Sequence, residues 1–281
     1  MVPPNLERPK PYAKRSLGQN FLTDRNYIEK IIKAVRPSAA DTIVEIGPGR
    51  GAMTDMLVMS GAKIVAIELD RDLIPLLRDR FSKHDEFRLV EQDALTVDFL
   101  ALSQAEGKKL KLVANLPYYI STAILQHLID HRDAFSEMIL MFQREVVERI
   151  IANPGNPDRG FLSVLVQAHL NADPLFDIPP TAFRPVPKVW STVVNFTPSS
   201  ASSETDRSFK SVVSEAFRQP RKTIVNNLKS RYPHVREALD NCNVDPNLRP
   251  EALTGDQWDC LCTNLTKAVS GELSQMRRQV K

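Results

Sequence analysis

The sequence predicts an α/β fold, a doubly wound and largely parallel sheet, followed by a smaller all-helical domain. Three observations carry that expectation. From Asp41 onward, short and continuously apolar runs alternate with stretches of helical periodicity, the pattern of a parallel sheet covered on both faces. The first of these runs, Thr42–Ile46, ends in the glycine-rich segment Gly47-Pro48-Gly49-Arg50-Gly51. Beyond residue 206 every patterned segment is helical.

Taken in order, Thr23 or Asp24 caps a first helix whose apolar face is Ile28, Ile31, Ile32 and Val35. Thr42–Ile46 is the first strand of the sheet, and Ala52–Met59 the helix that follows. Lys63–Leu69 is the second strand, trailed by helical Asp72–Phe81. Phe87–Glu91 and Leu110–Ala114 are the third and fourth strands. Ser121–His131 carries an apolar stripe at Ile124, Leu125, Leu128 and Ile129 and reads as a helix. Met138–Phe142 is a fifth strand, Glu145–Ile151 a helix and Val189–Phe196 a late strand. Residues 197–206 are rich in serine and read as a linker. Helices are then expected over Phe209–Phe217, Lys222–Arg231, Val235–Asn241 and Gln257–Val269. This organisation gives a catalytic domain at 1–198, with a basic arm at 1–18, and a helical domain at 207–281.

With 281 residues, 42% of them hydrophobic, the chain can bury a core without covalent staples. No stretch approaches the roughly 20 apolar residues of a membrane span. The polar, proline-rich start lacks the apolar core of a signal peptide. Three cysteines form a sparse, odd set, so reduced thiols and a cytoplasmic setting are expected. His127 and His131 lie four apart on one helix but have no third ligand, and Cys260-x-Cys262 spaces its thiols poorly, so no metal is expected. The net charge of +3 says little about partners, whereas its clustering says more. Lys10, Lys14 and Arg15 group near the start, and Arg218, Arg221, Lys222, Lys229 and Arg231 group late in the chain. Such clusters are solvated faces or nucleic-acid contacts.

A strand that ends in Gly47-x-Gly49-x-Gly51 and enters a helix lets backbone pass close to a ligand. Gly47-x-Gly49-x-x-Ala52 also satisfies a relaxed dinucleotide pattern, and Glu68 would accept from ribose hydroxyls in either case. Asp93, just past the third strand, is either a capping aspartate or the acceptor for the adenine amine of S-adenosylmethionine. The glycine loop, Glu68, Asp93 and Asn115 stand at the carboxyl ends of successive strands. That order favours a methyl donor over a dinucleotide.

Asn115-Leu116-Pro117-Tyr118 closes the fourth strand. The N6 amine of adenine is a poor nucleophile because its lone pair is delocalised into the ring. The Asn115 side-chain oxygen and the Leu116 carbonyl can accept its two N–H bonds and aim the lone pair. Pro117 restrains the loop, and Tyr118 offers a stacking face. No strong base is needed against an activated sulfonium, so rate comes from positioning.

These segments resemble the ribosomal RNA adenine dimethyltransferases over nearly the whole chain. The resemblance is carried by Leu17-Gly18-Gln19-Asn20-Phe21-Leu22, Val44-Glu45-Ile46-Gly47-Pro48-Gly49, Asn115-Leu116-Pro117-Tyr118 with Ile120-Ser121-Thr122, and Phe183-x-Pro185-x-Pro187-Lys188-Val189 with Ser191. It implies a Rossmann-like, class I S-adenosylmethionine-dependent methyltransferase sheet and an RNA-binding helical domain. By the same resemblance Asn20 and Leu22 close over the donor, Gly47 and Gly49 lie beneath it, Glu68 holds its ribose and Asp93 its adenine. Asn115 borders both donor and base, and Phe183 faces the base opposite Tyr118. Lys14, Arg15, Arg218, Arg221 and Lys222 are the implied RNA contacts, although Pro220 and Tyr119 replace residues usual in the family. The implied reaction is N6,N6-dimethylation of two adjacent adenines in a hairpin loop near the 3′ end of small-subunit (16S) rRNA. It would be carried out by a monomer on a pre-30S particle, in step with subunit biogenesis. The alternatives are a large-subunit (23S) enzyme of the macrolide-resistance branch, an NAD-dependent oxidoreductase and a non-enzymatic ribosome-assembly factor.

Overall fold

A computed structural model describes Lys14, residues 18–199 and residues 206–266. Lys10 and Arg15, both named above as basic, lie outside the described residues, as do most of the arm at 1–18 and the chain beyond 266. A short strand β1 (Phe21–Leu22) leads into helix α1 (Arg25–Val35). Asp24 caps α1 by accepting from the Asn26 N–H at 2.9 Å, and Ile28, Ile31, Ile32 and Val35 are all buried. The apolar spacing therefore chose the buried face.

Strands β2 (Thr42–Ile46), β3 (Lys63–Glu68), β4 (Phe87–Glu91), β5 (Leu110–Asn115) and β6 (Phe135–Gln143) run parallel. Helices α2 (Thr54–Val58), α3 (Ile74–Arg80), α4 (Phe99–Glu106) and α5 (Ser121–Asp130) fall between them. After α6 (Arg144–Ile150) and α7 (Phe161–His169) come β7 (Leu170–Ile178), the two-residue β8 (Phe183–Arg184) and β9 (Ser191–Pro198). The seven-stranded sheet has the order β4-β3-β2-β5-β6-β9-β7. Its β9, the late strand, pairs antiparallel with β6, Met138 opposite Phe196 and Gln143 opposite Ser191. Strand β7 was not expected because Asp173 and Pro174 interrupt its apolar pattern. It lies at the sheet edge, where proline is tolerated.

The chain forms two units, one of residues up to Arg144 with Asp173–Thr197, the other of Glu145–Ala172 with the residues from Pro198 on. The expected boundary lay only in the linker at 197–206; two further ones fall after Arg144 and after Ala172. Contacts within the second unit explain the grouping. His169 at the end of α7 packs edge-on against Phe209 of α8 (Asp206–Ala216), centroids 5.4 Å apart. Buried Arg159 donates to the Leu253 carbonyl at 2.7 Å and to Gln167 Oε1 at 3.2 Å. Helices α9 (Ile224–Leu228), α10 (Val235–Asn241) and α11 (255–266) complete the unit.

The thiols depart from the reduced state expected of them. Cys242, just after α10, and Cys260 on α11 form a disulfide, their Cα atoms 5.8 Å apart, within the span such a bond bridges. Cys262 is free and buried. His127 and His131 bond to the carbonyls of Val97 and His127, each at 2.9 Å. Among the described residues no group could hold a metal ion, and no helix is long and apolar enough to cross a membrane.

Candidate active site

In the sheet order β3 lies on one side of β2 and β5 on the other, so the connection after β2 runs toward one edge of the sheet and the connection after β5 toward the other. Such a switch point opens a crevice at the carboxyl ends of the strands. Here it is a cavity enclosing ≈ 830 Å³, mouth included, with Gly47, Gly49, Glu68, Asp93 and Asn115 on its walls. Gly47 and Gly49 adopt φ of +67° and +59°, a region that residues with a Cβ avoid. A Cβ on Gly49 would also come within 3.0 Å of the Phe21 ring.

Backbone N–H groups hold the Glu68 carboxylate in place. Its Oε1 accepts from Leu69 at 3.0 Å and Asp70 at 2.9 Å, and its Oε2 accepts from Gly49 at 3.4 Å. Burial pushes its pKa up, and these three donors offset only part of that rise. Asp93 Oδ1 caps a short helical turn through the Leu95 N–H at 2.9 Å.

Asn115 ends β5 opposite Met141 of β6. Its side-chain amide donates to the Asn20 carbonyl at 3.0 Å. Only the nitrogen of an amide can make that bond, so the side-chain oxygen is set as an acceptor. Leu116, Pro117 and Tyr118 continue the cavity wall. The Tyr118 hydroxyl lies 2.6 Å from the hydroxyl of buried Ser191. Burial raises the Tyr118 pKa and the Ser191 bond lowers it, with a net rise, so the phenol stays protonated.

Gly18–Phe21 form the opposite wall. This strap is tied at both ends. Lys14 Nζ meets Asp70 Oδ1 at 2.5 Å and Asp72 Oδ2 at 2.6 Å, and Gln19 Nε2 donates to Asp70 Oδ2 at 2.8 Å. At the other end β1 pairs with β8, Leu22 opposite Phe183. Lys14, expected on RNA, is thus engaged within the chain, and its two carboxylate partners raise its pKa. Two further expectations shift. Leu22 is turned into the core and lines a second cavity, which shares Phe21, Gly47, Gly49 and Asn115 with the first. Phe183 is fully buried in the core and lines neither cavity. Phe21 is the aromatic on the shared wall, with the Arg50 guanidinium 4.8 Å from its centroid.

A family model described as ribosomal RNA adenine dimethylase matches residues 11–266. The chain belongs to the ribosomal RNA adenine dimethylase family. Proteins named ribosomal RNA small subunit methyltransferase A are similar to it. The one from Pseudomonas aeruginosa is 45% identical over 86% of this chain and 90% of its own length. The one from Hahella chejuensis is 41% identical over 86% and 88%. The fold is shared with a dimethyladenosine transferase from Plasmodium falciparum, with TM-score 0.73 and 24% identity, covering 88% of this chain and 98% of that one. It is also shared with the 23S rRNA methyltransferase ErmE, with TM-score 0.64 and 24% identity, covering 88% and 100%.

In this adenine dimethylase three of the late basic residues gather at one turn. Arg218, Arg221 and Lys222 are exposed between α8 and α9, with Arg218 paired to Glu215 at 3.2 Å. Buried Asn227 holds the turn by donating to the carbonyls of Gln219 at 3.2 Å and Lys222 at 3.4 Å. Sequence reasoning passed over Gln92 and Leu69 on the cavity wall, although each directly follows a strand end, where such ligands sit. Ser191 was noted only as a motif residue; its tie to Tyr118 spans 73 positions and has no local signal.

Proposed function

We propose that this chain transfers methyl groups from S-adenosylmethionine to adenine N6 in small-subunit rRNA, making N6,N6-dimethyladenosine on a pre-30S particle. The observation that carries the proposal is the 3.0 Å bond from the Asn115 amide to the Asn20 carbonyl, which sets an acceptor at the edge of the donor cavity. When bound, S-adenosylmethionine supplies an activated methyl group on a sulfonium. Glu68 would hold its ribose hydroxyls, Asp93 and Asp93's neighbour Gln92 the adenine edge, and the Gly47–Gly49 turn the close approach of backbone. The fit rests on Glu68, whose carboxylate is fixed by three N–H donors, and on glycine φ values that leave the loop open to a ligand.

The Asn115 side-chain oxygen and the Leu116 carbonyl accept hydrogen bonds from the two N6 N–H groups, which turns the nitrogen lone pair out of conjugation. Tyr118 presents its ring to the base, anchored through its hydroxyl on Ser191. No side chain is required as a general base, because the proton can leave to water after transfer. Loop adenines are already partly unstacked, so extruding one costs less than from a duplex. The exposed Arg218, Arg221 and Lys222 turn supplies phosphate contacts in the second unit.

The test uses labelled S-adenosylmethionine with small-subunit particles lacking the modification, and separately with large-subunit RNA, followed by mapping of the labelled bases. Dimethyladenosine in the small-subunit RNA is expected. Label confined to large-subunit RNA would overturn the substrate, and none in either would overturn the activity.

A further inference from the structure

Arg184 of β8 is exposed, as are Val186, Lys188 and Trp190 of the loop that joins it to β9. Trp190 keeps 42% of its surface in solvent, although it is the largest apolar side chain available to a core. It is nevertheless held. The Arg144 backbone N–H donates to the Trp190 carbonyl at 2.9 Å, and the Arg144 guanidinium lies over the indole, 5.5 Å from the ring centroid. The same guanidinium is 3.7 Å from the Asp177 carboxylate. The ring is therefore braced in place and still reachable. Its position also matters, because the next residue is Ser191, whose hydroxyl holds Tyr118 at 2.6 Å. One peptide step, about 3.8 Å of chain, separates the indole's backbone from the anchor of the tetrad's aromatic.

An exposed, braced indole beside cationic side chains suits a flat, uncharged ring carried on an anionic backbone. Single-stranded nucleic acid offers that combination, stacking its bases on aromatic rings while cations follow its phosphates. We propose that Trp190, braced by Arg144, is a stacking platform for a nucleotide flanking the target adenine, a positioning residue that orders the RNA loop. This rests on the RNA substrate proposed above. Stacking on Tyr118 selects the base that reacts; stacking on Trp190 holds its neighbour.

The chain has two tryptophans, and the other, Trp258, is fully buried. Titration of the whole protein with a hairpin RNA carrying adenines in its loop should quench tryptophan fluorescence. Trp190→Phe should abolish most of that quenching with donor binding unchanged. Trp190→Ala should raise the KM for unmodified small-subunit particles about tenfold at unchanged kcat, and Trp190→Phe should recover most of the loss. Full quenching in Trp190→Phe, or an unchanged KM in Trp190→Ala, would overturn the platform. Quenching that depends on Trp190 in a protein that methylates no small-subunit RNA would overturn the substrate instead and leave the platform standing.

Discussion

Asn115 has one amide and, in the proposed mechanism, two tasks: its nitrogen ties the strap at Asn20, and its oxygen would accept from the reacting amine. Asn115→Ala removes both. It should lower single-turnover methyl transfer by about 10² or more, the scale of a lost preorganised polar group. Donor affinity, measured by calorimetry, should fall much less, because Glu68 and the glycine turn are untouched. Near-normal transfer in that variant would sink the mechanism. Tyr118 separates ring from hydroxyl. Tyr118→Phe keeps the stacking face and strands the buried Ser191 hydroxyl, so its main effect should be a stability loss of about 1–3 kcal/mol in thermal unfolding. Tyr118→Ala removes the face and should cost far more activity than Tyr118→Phe. The place of the tetrad and Glu68 on the cavity wall was readable from sequence because it is set locally: a strand end, then a polar group. Phe183 was not, since a motif gives a residue's place in the chain and leaves its rotamer to packing. In this structure the core cluster around Leu22 and Ile28 takes the ring.

At the scale of elements, the turn from β2 to α2 and the strap both line the switch-point cavity. Gly51 closes that turn at φ +83°, and a Cβ there would come 2.8 Å from the ring of Phe81, a buried residue at the end of α3. Gly51→Ala therefore meets strain and overlap together and should destabilise the protein by about 1–3 kcal/mol. Gly155 has a similar φ, +86°, and open space around its Cβ position. Gly155→Ala should cost only the backbone strain, so the gap between the two melting temperatures reads out the Phe81 contact. Equal losses would show that the contact relaxes freely. The strap is held by charge at one end. Asp70→Asn weakens the Lys14 pairing and should speed donor dissociation in stopped-flow measurements by up to about fivefold, the range of an ion pair with one partner in solvent. An unchanged rate would mean that the β1–β8 pairing alone seats the strap. None of this latch was legible beforehand. Lys14 is a basic residue in a basic cluster, and only the fold brings it to Asp70, 56 positions away.

For the whole molecule, the alternation of apolar strands with helices made the central sheet readable, because both faces of a parallel strand are buried and its run of residues shows it. The sheet's far edge was harder, since β7 is half solvated and broken by proline, and the second unit draws in Glu145–Ala172 through contacts such as Arg159 to Leu253 that have no local pattern. One residue at the centre of the sheet links the fold to pH. Glu45 lies in β2, fully buried, with Oε2 accepting from Thr54 Oγ1 at 2.6 Å and no hydrogen-bond partner for Oε1 among the described residues. Burial pushes its pKa from 4.5 to about 7, against the Thr54 bond, with the charges of Glu68 and Asp55 adding to the rise. A carboxyl that binds its proton more tightly when folded stabilises the protonated native state. That contribution is complete below pH 4.5 and is lost as pH rises toward 7. Over that window it amounts to about 3 kcal/mol at most. Glu45→Gln cannot titrate, so its unfolding free energy, measured with denaturant from pH 4.5 to 8, should lack this downward slope relative to the unsubstituted protein. The slope is the diagnostic quantity, because any cost of the added amide N–H is the same at every pH. Parallel curves for the two proteins would show that Glu45 stays charged inside the sheet and that Thr54 and the neighbouring backbone solvate it better than its burial implies.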